Sequence, residues 1–171
     1  VTEDRAILGR YVPATADDQV AVALLNFPLQ VFAHARQHHD ELLREFALLA
    51  LRPPEDRAGH AVPGQLLTLI DSLGRRFAGT GDRSDQLRDD ALAAGQTSID
   101  LTYTVPRSAG PALAELHDLM QQADQFCQAE QLLTLEATPT ERAFRAWFID
   151  EFIAQAEGAA PTAWDGLLLP D

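Results

Sequence analysis

The spacing of apolar positions changes period several times along the chain, and each change marks an expected element. Val20 to Phe27 (VAVALLNF) is a short apolar run, β-rich at its start and closed by Pro28, which predicts a buried strand. From about Leu29 the spacing turns helical, with Leu42, Phe46 and Leu49 at i, i+4 and i+7 and Leu43 and Ala50 alongside. Pro53 and Pro54 end that helix, and 52–62 reads as a polar loop. A second helix is expected from Pro63 through Leu66, Leu69, Ile70, Leu73 and Phe77 to Gly79. Asp82, with Asp85 three residues on, predicts the cap of a short helix ending at Gly95.

Ile99, Leu101, Tyr103 and Val105 then alternate with small or polar residues, so Thr97–Val105 is the clearest strand. Ser108 to Cys127 returns to helical spacing, with Leu113, Leu116, Met120, Ala123 and Cys127 on one face. Leu132–Leu135 fits either a third strand or a frayed end. Thr138 and Glu141 form a capping box with Pro139 in the first turn, opening a final helix to about Glu157 that Gly158 and Pro161 stop. No repeat of solenoid period and no dividing linker interrupts this order. The expected fold is α/β (α+β): a helix-dominated single domain, about five helices on a small two- or three-stranded sheet. Residues 1–17 read as an N-terminal arm, 18–158 as the globular domain and 159–171 as a C-terminal tail.

Composition narrows the chemistry. At 171 residues, 46% hydrophobic and 23% charged, the chain suits one ordinary globular core rather than a disordered or low-complexity class. No apolar run reaches the roughly 20 residues that span a bilayer, and neither end of this sequence reads as a secretion or lipidation signal. A cytoplasmic protein is therefore expected. All 13 basic residues are Arg, against 26 Asp plus Glu, for a net charge of −13. Such a surface repels phosphate backbones and anionic lipid, and Arg75-Arg76 is the only adjacent basic pair. Neither nucleic acid nor membrane is an expected partner. The absence of Lys excludes a P-loop lysine and a Schiff-base nucleophile, although an Arg- and Ala-rich composition alone also explains it.

The densest polar cluster is His34-Ala-Arg-Gln-His38-His39-Asp40-Glu41 on the first long helix. At about 100° per residue, His39 falls inside the apolar arc while His34, His38, Glu41 and Glu45 form a stripe along its border. Two His at i, i+4 with carboxylates can bind a divalent transition metal if a second helix adds a ligand. The bland reading is a hydrogen-bonded core His39 and three solvated neighbours. The order differs from His-Glu-x-x-His, and no Glu-x-x-His pair points to a di-iron bundle.

Other motifs fall to structural readings. Asp71-Ser72 resembles a phosphorylatable Asp-Ser turn, but helical spacing runs through it and places Ser72 mid-helix. Gly79-Thr-Gly81-Asp82 reads as a loop and cap, because the carboxylate would repel an anion at that helix start. Asn26 is the only Asn, so a helical Mg²⁺-holding Asn of histidine-kinase-like ATPases is missing, and no Gly-x-Ser-x-Gly occurs. The lone Cys127 lies on an apolar face, which favours an inert thiol. No cofactor is expected.

The last helix carries Phe144, Trp147, Phe148 and Phe152 on one broad arc, with Glu151 among them, and Ile149 and Ile153 on another. A helix apolar on two sides is either central in the domain or shared with a partner or second copy. With Arg142 and Arg145 at its margins, the arc also has the composition of interface anchors. Glu151 needs a partner or a raised pKa in either case.

Several stretches together resemble one family. They are His38-His-Asp-Glu-Leu-Leu-Arg-Glu-Phe46, Asp100-Leu-Thr-Tyr-Thr-Val-Pro106, Ala123-Asp-Gln-Phe-Cys127, Leu132-Leu-Thr-Leu135 and Phe144-Arg-Ala-Trp-Phe148. Over residues 25–165 the chain resembles an uncharacterised actinobacterial family that accompanies anti-sigma-factor ATPases and other partner-switching regulators. The resemblance implies a setting, stress or developmental signalling, and carries over no catalytic residue. The expectation is a regulatory, non-catalytic protein-interaction domain. The alternative is a metal- or small-ligand-binding sensor or enzyme using the His34/His38/Glu41/Glu45 stripe.

Overall fold

Two strands that lie far apart in sequence pair into one antiparallel ribbon, against which α1, α3 and α5 pack. The computed structural model describes residues 18–50, 61–76, 81–130 and 137–166. In chain order the elements are β1 (Gln19–Pro28), α1 (Leu29–Ala50), α2 (Ala61–Arg76), α3 (Asp82–Ala93), β2 (Ser98–Pro106), α4 (Ala109–Glu130) and α5 (Pro139–Ala156). The helix-dominated α+β reading holds, with five helices and a two-stranded sheet among the described residues. The expected arm 1–17, the loop at Pro53-Pro54, Phe77 and the undecided Leu132–Leu135 lie outside them, as does the Cys127 side chain.

Alternation explains the sheet. Val22 and Leu24 of β1 and Leu101, Tyr103 and Val105 of β2 point to one face and are buried, while Ala21, Asp100, Thr102 and Thr104 are exposed on the other. Register partners run from Gln19↔Pro106 to Leu24↔Leu101 and resume at Phe27↔Ile99. Leu25 and Asn26 therefore stand against Asp100 alone, which makes a β-bulge. Asn26 carries it with φ of 54°, a left-handed conformation that Asn tolerates better than most residues. Its N–H donates to Asp100 Oδ1 at 2.7 Å. The extra residue returns Phe27 to the buried face, where its ring lies 5.5 Å from that of Phe144.

The core has two centres. One lies under the sheet and joins Val22, Leu24, Phe27, Leu101 and Tyr103 to Phe144 and Phe152 of α5. The other joins Leu42 and Phe46 of α1, Leu66 of α2, and Leu119, Met120 and Ala123 of α4. Each fully buried Leu or Phe contributes roughly 1.5–3 kcal/mol.

Local signals set both ends of α5 and the C-terminal end of α3. Thr138 and Glu141 make the expected reciprocal capping box, with Pro at the first turn. After α5, Gly158 takes φ of 98°, and after α3, Gly95 takes φ of 72°. Ser72 lies within α2 as its spacing predicts. Two expectations are corrected. The N-cap of α3 is Gly81, not Asp82, and no side chain caps it. A Cβ at Gly81 would sit 3.0 Å from the Tyr103 ring, so close packing rather than capping favours Gly there. Residues 159–164 also do not lie outside the domain as a tail: Thr162 is held by Trp147 and Glu151 of α5, and Trp164 bonds to Leu25 and is buried in the sheet-side core.

Candidate functional site

The α1 stripe proposed for metal does not converge. His34 and Glu41 are exposed, Glu41 accepts from Gln37 Nε2 at 3.0 Å, and His38 and Glu45 are half-buried. Among the described residues no group of three or more His, Cys, Asp or Glu side chains is arranged to hold a metal ion. The expected ligand from a second helix is therefore not supplied by any described residue.

His39, on the apolar side of that stripe, faces a different partner. Burial lowers its pKa from the usual 6.5; Asp40 pulls upward, while His38 and Arg145 add to the lowering. Arg145 of α5 is ion-paired through Nη2 to Asp124 Oδ2 of α4. Asp124 is 5% exposed, and both its Oδ1 and the Arg145 Nε are buried without a hydrogen-bond partner. A charged pair thus joins α4 to α5, and its Arg145 acts on the His39 imidazole. Spacing located His39 on the apolar face, but nothing local marks Arg145, 106 residues on, as a charge that acts on it.

A second polar cluster lies between α3 and β2. Arg88 donates to Asp85 at 2.7 Å and to Asp89 at 2.9 and 3.0 Å, with its guanidinium 4.4 Å from the centre of the Phe32 ring. Burial opposes its charge, but the Asp89 hydrogen bond and the field of Asp85 outweigh that and raise its pKa. The Tyr103 hydroxyl donates to Asp85 at 3.1 Å. Burial first, and Asp85 second, push the Tyr103 pKa up to about 12. Every named member is paired, so the cluster reads as an anchor for α3 with no reactive group left over.

The aromatic arc of α5, open to two readings from sequence, lies largely against the core. Phe144 and Phe152, offered as interface anchors, are 5% and 6% exposed and belong to the core. Trp147 and Phe148 are half-buried and pack on the same cluster, each ring 6.4 Å from Phe27. Of the two readings of this helix, the central one describes Phe144 and Phe152: the sheet covers one side of the arc, and residues 162–164 cross another. The Trp164 ring stands 5.9 Å from Phe144 and 5.4 Å from Trp147. Trp147 Nε1 donates to the Thr162 carbonyl at 3.1 Å. Glu151, which needed a partner, accepts from Gln155 Nε2 at 2.7 Å and from the Thr162 N–H at 3.0 Å.

Among the described residues, the outer face of the sheet remains open. Ala21, Thr102, Thr104 and Asp100 form an exposed patch of small and polar side chains. Asp82, Asp89 and Asp90 are exposed on α3, the helix that flanks β2. No family model, curated protein or solved structure matches the chain.

Proposed function

We propose that this chain is a non-catalytic regulatory domain that acts by binding a protein partner, in bacterial signalling of the partner-switching kind. The observation that carries the reading is a sheet face that no described residue covers, with Asp100 on it and the Asp residues of α3 beside it. Small side chains let another backbone approach closely, and the net charge of −13 selects a partner with a basic surface. A second copy of the chain would meet like charge there, which argues for a heterologous partner over a homodimer. The family resemblance supplies the setting, with anti-sigma-factor ATPases and their regulators as the candidates. No helix of the described residues is long and apolar enough to cross a membrane, so no described helix ties the domain to one. The metal-sensor alternative has no gathered ligand set among the described residues to support it.

The test is calorimetric titration with the purified regulators encoded beside its gene. One of them is expected to bind with an affinity that falls as salt rises. Thr102→Arg should abolish the binding while leaving the circular dichroism unchanged. Absence of binding to every such regulator, or binding indifferent to Thr102→Arg, contradicts the proposal.

A further inference from the structure

The bulge at Asn26 turns two acceptor and donor groups of β1 outward, and the chain's own C-terminal segment takes both. The Trp164 N–H donates to the Leu25 carbonyl at 3.0 Å, and Asn26 Nδ2 donates to the Trp164 carbonyl at 2.7 Å. The Thr162 N–H and carbonyl are held by Glu151 and by Trp147 Nε1. All four bonds engage the segment's backbone. Ala159, Ala160, Pro161, Thr162 and Ala163 are exposed, so Trp164 is the one side chain of 159–164 that is buried. This is how an extended peptide is recognised at a strand edge: main-chain bonds for binding and one pocket for specificity.

The pocket is not tailored to indole. Trp164 Nε1 is buried and has no hydrogen-bond partner, a cost that a phenyl ring would not carry.

We infer that the β1 edge at Leu25–Asn26, with the Phe144–Trp147 pocket, is a peptide-binding seat held in cis by residues 162–164. Its partner is an extended segment with one aromatic anchor, which displaces the chain's own segment. The inference goes beyond the proposed function, which concerns the opposite face of the sheet, and does not depend on it.

The test uses the full chain with Trp164→Ala, monitored by far-ultraviolet circular dichroism. The probes are synthetic peptides of residues 159–166 carrying Trp, Phe or Ala at the anchor. The variant should stay folded and bind the Trp and Phe peptides roughly tenfold or more tightly than the Ala peptide. The Phe peptide should bind at least as well as the Trp peptide. The unaltered chain should bind the Trp peptide about a hundredfold more weakly, because its tethered segment competes at high effective concentration. Loss of fold in Trp164→Ala would make the segment an obligatory part of the core and overturn the inference. A folded variant that fails to distinguish the peptides would overturn it as well.

Discussion

The carboxamide of Gln155 holds both backbone polar groups of Ala23, accepting from its N–H at 2.8 Å and donating to its carbonyl at 2.8 Å. Directly across the ribbon, the Ser84 hydroxyl donates to the carbonyl of Thr102, the register partner of Ala23. Two side chains from α5 and α3 thus cover the two edges of the sheet at one level. A two-stranded ribbon is marginal alone in water, and open edges invite further pairing. Gln155→Leu removes both bonds at Ala23 and is expected to cost roughly 2–4 kcal/mol. Gln155→Glu should also destabilise, since a carboxylate cannot donate to the Ala23 carbonyl and would repel Glu151. Urea unfolding measures both, and an unchanged midpoint would show that the edge is closed by other means.

Asn26 offers a comparison that separates backbone from side chain. Asn26→Gly keeps the φ of 54° without strain but loses the bond to Trp164; Asn26→Ala loses the bond and meets the steric cost of that φ. Ala should therefore be less stable than Gly by about 1 kcal/mol, the reverse of their order in a regular helix or strand. Equal midpoints in urea would contradict the bulge geometry.

The Asp124–Arg145 pair predicts a non-additive result. Arg145→Met leaves the Asp124 carboxylate buried without its counter-charge and should cost about 3–5 kcal/mol. Adding Asp124→Leu should recover most of that loss, because two apolar side chains need no partner. If the double variant is no more stable than Arg145→Met alone, Asp124 is not bearing the uncompensated charge.

His39 sets a pH dependence with a definite sign. Its pKa in the folded chain lies below the unfolded value near 6.5, so the unfolded state binds more protons in the interval between them. The contribution of neutral His39 is complete above 6.5 and is lost as pH falls through the folded value. His39→Gln should flatten the decline in stability as pH falls below about 6.5. A variant with the same slope as the parent would remove His39 from the account.

Much of this fold was legible where the signal is local. The box Thr138–Glu141 needs only four residues, and the alternation Ile99, Leu101, Tyr103, Val105 needs only one strand with one wet face. Ser72 was placed inside a helix by the apolar spacing around it. What spacing cannot give is the occupant of a face. The wheel of α5 showed that Phe144 and Phe152 share a side, and a β-sheet and a foreign protein look alike from there. The contacts that decide the matter join Gln155 to Ala23 and Trp164 to Asn26, more than a hundred residues apart. Arg88 carries no signal in the spacing at all: it sits on a polar helix, yet it is buried with its guanidinium against the Phe32 ring.

The most direct test of the central claim is a map of backbone amide shifts by nuclear magnetic resonance as a basic regulator encoded beside the gene is titrated in. The account predicts shifts concentrated at Ala21, Asp100, Thr102 and Thr104 and along the exposed side of α3. Shifts confined to the far ends of α1 and α2, with the sheet face silent, would contradict it.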